Sequence, residues 1–135
     1  MADLKAKSLA LVSSVSSVNL AATAGTEAIL YTSPTGFSFL PVMTILHNFS
    51  AADHATPPIV TLGIGGGACD EFLGDQTLSG LTANYANECL ILQPVPAATP
   101  VTVDIVPAGS TFSIEITQAN GAALTCDIEV FGYLF

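Results

Sequence analysis

The sequence predicts an all-β protein: an antiparallel β-sandwich or jelly-roll-like domain of about eight strands with an extended N-terminal arm. Three observations lead there. Val, Ile, Thr and Phe recur in runs where apolar and polar residues alternate with period two, the spacing of a half-buried strand. Clusters of Pro, Gly, Asn and Ser interrupt those runs roughly every ten residues, as in sandwiches and barrels. No stretch sustains the period of a helix of any length. A chain of 135 residues suits one domain, divided here into an arm and first strand over 1–25 and a sandwich over 26–135.

The first stretch, "MADLKAKSLALVSSVSSVNLAATAGTEA", outlines a signal peptide: basic, then apolar, then small residues. Five serines and Asn19 dilute its apolar part, so it is read as a structural arm. Within it Leu9 and Leu11 alternate, while Val12, Val15 and Val18 recur every three residues. Ser and Val are indifferent helix formers, which favours an extended strand. "EAILYTSPTGFSFLPVMTIL" predicts two strands joined at Ser33-Pro34-Thr35-Gly36, where Pro34 presets φ and Gly36 suits the exit. Pro41 donates nothing to a ladder, so its strand lies at an edge or bulges there. Residues 47–58 read as a loop, and "IVTLGI" as a strand. "ECLILQ" (88–93) reads as a continuous buried strand ahead of the connector "PVPAATP". In "VTVDIV", Val101, Val103 and Ile105 share one face. In "TFSIEIT", Phe112, Ile114 and Ile116 face inward, as do Leu124, Cys126, Ile128 and Val130 in the last strand. Asn120-Gly121 between these two is a hairpin signal, because both residues tolerate positive φ.

Half of the residues are hydrophobic and 10% are charged, which implies apolar surface covered by partner subunits. No apolar run approaches the eighteen or so residues of a membrane helix. Eleven carboxylates face two lysines, Lys5 and Lys7, and no Lys or Arg follows Lys7. That excludes nucleic acid, anionic membranes and phosphorylated substrates as partners, all of which need cations. The carboxylates read as a solvated face or as a match for an electropositive partner. Cys69, Cys89 and Cys126 fit no zinc spacing and read as buried free thiols of a protein made in a reducing cytoplasm.

Few residues suggest chemistry. In "IVTLGIGGGACDE", Gly63, Gly65 and Ala68 satisfy G-x-G-x-x-A. A dinucleotide site needs a helix directly after the glycines, and Gly74 and Gly80 interrupt any such helix. Asp70 and Glu71 would also repel phosphate, so the glycines are expected to end a strand and turn the chain. Asp70, Glu71 and Asp75 are a weak calcium candidate without the spacing of a known loop. His47 and His54, with Asp53 and Ser50 nearby, read as exposed loop residues without a base–nucleophile pattern. Tyr31, Tyr85 and Tyr133 read as core or interface rather than as a sugar-stacking face. No cofactor, metal or enzymatic activity is expected, since no acid, base and nucleophile set is present and no cation past residue 7 stabilises developing charge.

Three stretches carry a family resemblance: "AILYTSPTGFSFLPVMTILHNFSAADH", "TPPIVTLGIG" and "VPAGSTFSIEITQANGAALTCDIEVFGYLF". They contain a Tyr-Thr-x-Pro-x-Gly turn, a strand ending in Asn and small residues, a Pro-Ala-Gly turn and a terminal strand ending in Phe-Gly-Tyr-Leu. Over residues 26–135 the chain resembles small virion structural proteins of tailed bacteriophages. The resemblance implies a β-sandwich that assembles as a homotrimer and sits in the virion as a capsid decoration or cement protein bound to the major capsid protein. It brings no catalytic residues. A tail or fibre component with a carbohydrate-binding sandwich is the alternative. The expected interface residues are Lys5, Lys7, Leu9 and Leu11 in the arm, with Phe131, Tyr133 and Phe135 at the other end of the chain.

Overall fold

The computed structural model describes residues 8–52, 55–94 and 102–135. The expected all-β sandwich is observed. Among the described residues the strands are β1 (Ala10–Asn19), β2 (Thr26–Thr32), β3 (Phe39–His47), β4 (Ile59–Ile64), β5 (Leu73–Thr77), β6 (Leu90–Leu92), β7 (Thr111–Gln118) and β8 (Thr125–Leu134). The only helical element described is one 3-10 turn, Tyr85–Asn87. Two four-stranded sheets form, in the orders β1-β8-β3-β6 (sheet A) and β2-β7-β4-β5 (sheet B).

The pairing explains the architecture. β1 pairs with β8, β2 with β7, β3 with β6 and β4 with β5, all antiparallel. These are the rungs of one long hairpin whose tip is the β4–β5 connection. Rolling that hairpin adds the β3–β8 and β4–β7 pairs and closes the two sheets over each other. The result is a jelly roll, in which every connection except β4–β5 crosses between the sheets.

Alternation fixes the core. Phe112, Ile114 and Ile116 of β7 face Cys126, Ile128 and Val130 of β8 across the sandwich, all nearly inaccessible. Phe39 of β3 meets Phe112 edge-to-face with centroids 5.8 Å apart, and Phe72 meets Phe112 at 5.4 Å. Tyr31 closes the row against Phe39 at 4.9 Å. These rings tie sheet A to sheet B, each burying area and gaining from edge-to-face geometry.

Several local expectations are corrected by tertiary context. Asn120-Gly121 makes no hairpin: β7 and β8 lie in opposite sheets, and the connection crosses between them. Neither residue has positive φ. Asn120 is instead buried, its N–H donating to Leu20 O at 2.9 Å. Residues 102–105 form no strand, and only Val106 bridges to Phe39. Ile105 is consequently exposed. The buried strand expected over 88–93 shrinks to Leu90–Leu92, an edge strand with Ile91 open to solvent. β5 lacks any apolar alternation, and only Leu73 of it is buried. Pro41 does sit at a bulge, between Pro41 and Met43, although β3 is internal to its sheet. The turn before β3 closes one residue later than expected, with Phe37 N–H donating to Pro34 O and Gly36 at φ +82°.

Candidate functional site

The glycine-rich stretch builds a cover. β4 ends at Ile64, and Gly65–Ala68 form a turn with Gly66 at φ +88°. No helix follows, so the chain offers no helix N-terminus to a phosphate. Instead the chain folds back over the outer face of sheet B. A Cβ on Gly63 would lie 2.7 Å from the carbonyl carbon of Cys69 and 2.7 Å from the backbone nitrogen of Glu71, so only glycine lets the loop lie flat there. The Cys69 thiol donates to Ser113 O at 3.2 Å, and Glu71 accepts from the Ile64 N–H at 2.8 Å. Cys69 and Ser113 are buried within and beneath this cover. Burial, aided by the nearby Glu27 carboxylate, pushes the Cys69 thiol up to about 12, and burial does the same to Cys126. Both are therefore inert thiols at neutral pH. Cys89, by contrast with the expectation of burial, is exposed.

The calcium candidates are spoken for by local bonds. Glu71 holds the Ile64 amide, Asp75 accepts from the Thr117 hydroxyl at 3.1 Å, and Asp70 is exposed. Among the described residues no group of three His, Cys, Asp or Glu side chains is placed to hold a metal ion. Asp53 and His54 lie outside the described residues, as do Lys5 and Lys7. His47 is not a loop residue but the last residue of β3. The tyrosines do not share one face: Tyr31 and Tyr85 pack against the core, and Tyr133 lies on the outer side of sheet A.

The outer face of sheet A is divided. Toward one end, polar groups satisfy each other. Ser14 Oγ donates to Glu129, and His47 Nε2 pairs with Glu129 Oε1 at 3.0 Å. Asp127 accepts from Asn48 Nδ2 and from the Ser17 N–H, each at 2.9 Å. Ser17 sits at φ +56° in a bulge where Ser16 and Ser17 oppose the single residue Asp127. The charged acceptor offsets the cost of that backbone conformation. These bonds hold both carboxyls below their ordinary values: for Asp127 the Ser17 N–H first and then Asn48, for Glu129 the Ser14 hydroxyl first and then His47. A shallow cleft of about 420 Å³ opens beside this end, lined by His47, Glu88, Cys89 and Asp127 among others. In this cleft His47 is paired with Glu129, and Glu88 accepts from the Thr82 N–H at 2.8 Å.

Toward the other end the same face is apolar. Phe131 stands opposite Leu11 on one side and Met43 on the other, and Tyr133 stands opposite Leu40. Leu9 is 48% exposed, Leu11 52% and Phe135 57%, well beyond what strand residues of a covered face show. Of the five described interface candidates, Leu11, Phe131 and Tyr133 stand in register on this half of the face, and Leu9 and Phe135 are exposed just beyond the ends of β1 and β8. β1 bulges between the partners of Phe131 and Val130, and β3 between those of Gly132 and Phe131, so both neighbours of β8 bend close to Phe131.

Among solved structures, a chain in the capsid of Ralstonia phage GP4 shares this fold, with a TM-score of 0.55 over 93% of this chain and 83% of that one, at 10% sequence identity. No protein-family model matches the chain, and no curated protein matches it. At such low identity the likeness is one of fold. Among the described residues no helix is long and apolar enough to cross a membrane.

Proposed function

We propose that this chain is a structural protein of a bacteriophage virion, acting as a capsid decoration or cement protein that binds the major capsid protein and stabilises the shell. The observation that carries this reading is the fold likeness to a chain of the Ralstonia phage GP4 capsid across nearly the whole sequence. The open apolar half of sheet A supports it, because a module that works by contact needs an uncovered surface and no reaction centre. The acidic surface suits an electropositive partner.

Purified particles carrying this chain test the proposal by quantitative mass spectrometry against the most abundant shell protein. Near-equal copies are expected. A small fraction would place the chain in a tail, fibre or vertex, where a glycan array would test the carbohydrate-binding alternative. Absence from the particle would overturn the virion reading.

A further inference from the structure

We propose that the outer face of sheet B carries an arginine site, in which Glu27, Glu115 and Thr61 receive a guanidinium from another protein. The virion role proposed above supplies the source of that arginine, a neighbour in the particle; the site itself follows from this chain's own residues.

Strand register sets the row. Glu115 of β7 stands opposite Glu27 of β2 on one side and opposite Thr61 of β4 on the other. Their neighbours along the strands, Ile114, Ile116, Val60 and Leu62, are buried in the core, so Glu115, Thr61 and Glu27 point to the opposite face. Like charges directly opposite each other destabilise a sheet. Glu27 and Glu115 are half-buried, which strengthens their repulsion. No Lys or Arg follows Lys7, and His47, the one histidine among the described residues, belongs to sheet A. The Glu115 carboxylate has no hydrogen bond or ion pair among the described residues. A third carboxylate lies close by. A Cβ on Gly63 would overlap the carboxylate of Glu71, and a Cβ on Gly65 would overlap that of Glu27, so these glycines leave room for both. Glu27 accepts from the Gly66 N–H at 3.1 Å, and Glu71 from the Ile64 N–H at 2.8 Å.

Thr61 independently points to a ligand. It is 4% exposed, and its hydroxyl has no hydrogen-bond partner. A buried hydroxyl left without a partner is costly, and this one stands in the carboxylate row. The shape of the row selects the cation. No three acidic groups converge to hold a metal ion, so a compact ion fits poorly. A guanidinium is planar, carries five N–H donors in a fixed fork and bridges acceptors that stand apart. Ile29, two residues along β2 from Glu27 on the same face, is 59% exposed. It gives the aliphatic stem of an arginine an apolar wall. This chain contains no arginine, so the guanidinium comes from a different protein.

NMR titration of the isotope-labelled full chain with the peptide acetyl-Gly-Arg-Gly-amide tests this. The amides of Glu27, Thr61 and Glu115 are expected to shift in a saturable way. The lysine counterpart of the peptide is expected to need about threefold more for half-saturation, since an ammonium offers no fork. Glu115→Gln is expected to raise the half-saturation point for the arginine peptide about tenfold. In the chain alone the same variant is expected to raise Tm, because it removes one of two opposed charges. Glu129→Gln, on sheet A, is expected to leave the titration unchanged. No saturable shift at the three residues, an equal response to the lysine peptide, or a Glu115→Gln variant that binds like the wild type overturns the inference. So does calcium chloride that shifts the same amides at lower concentration than the arginine peptide, which would assign the row to a metal ion. A lower Tm for Glu115→Gln would show its charge to be compensated already, and overturns the inference too. The titration uses the chain alone, so its failure sinks this site and leaves the virion reading standing; absence of the chain from particles sinks the virion reading and leaves the site.

Discussion

The two sheets treat their outer faces differently. Part of sheet B is covered by its own β4–β5 connection, which lays Cys69 over Gly63 and Ser113, while Ile29 on its edge strand β2 stays exposed. Sheet A has no such cover among the described residues. Half of its outer face is satisfied by side-chain bonds around Glu129 and Asp127, and the other half presents Leu11, Phe131 and Tyr133. A sandwich needs only its inner faces apolar to fold. Apolar residues kept on an outer face add nothing to that core.

The largest effect is expected where both faces depend on one side chain. Phe112 supports Phe39 of sheet A and Phe72 at the end of the covering loop. Phe112→Ala should cost about 3–5 kcal/mol in urea unfolding, the range for truncating a buried ring. A cost below about 1 kcal/mol would show that the rings do not bridge the sheets.

A smaller change should make sheet B resemble sheet A. Gly63→Ala puts a methyl where the backbone of Cys69 and Glu71 lies, and a strain of about 1–3 kcal/mol is expected. The loop should lift and expose Cys69. In the native wild type, thiol labelling at pH 8 should modify Cys89 alone, since burial holds Cys69 and Cys126 protonated. In Gly63→Ala, Cys69 should react as well. Equal labelling of the two proteins would mean that the cover does not depend on the glycine.

The smallest effect concerns the polar half of sheet A. Glu129 is held more acidic in the folded chain than its ordinary value near 4.3, chiefly by Ser14. The folded state therefore binds fewer protons than the unfolded one in that range. The resulting stability is present above pH ~4.3 and is lost as the pH falls through the folded value. Ser14→Ala should raise the Glu129 midpoint in an NMR titration and flatten the acid loss of stability, by less than ~1 kcal/mol because the group faces solvent. An unchanged midpoint would remove the hydroxyl as the cause.

Particular elements show what could be read in advance. The last two strands were legible because strict alternation in Phe112–Ile116 and Leu124–Val130 leaves one possible inner face. The outward side of Phe131 and Tyr133 follows from the same alternation, although it gives no hint that Leu11 of the first strand lies beside Phe131. β5 was not legible, because an edge strand such as "LGDQT" is held by ladder bonds to β4 more than by its side chains. The reading of Asn120-Gly121 as a hairpin failed because a turn signal reports local φ tolerance and says nothing about which sheet the next strand joins. The Ser14–Glu129–His47 cluster joins residues from three strands far apart in sequence, and no spacing announces it.

By itself the sequence determined the class of fold, the inner and outer sides of the long strands, and the acidic surface with its two cations at one end. Those follow from period-two alternation and from composition, which act residue by residue. Tertiary structure decided the jelly-roll pairing, the cover over sheet B and the gathering of Leu11 beside Phe131. Each depends on which strand lies next to which, and in a rolled hairpin that neighbour is set by the packing of the whole chain.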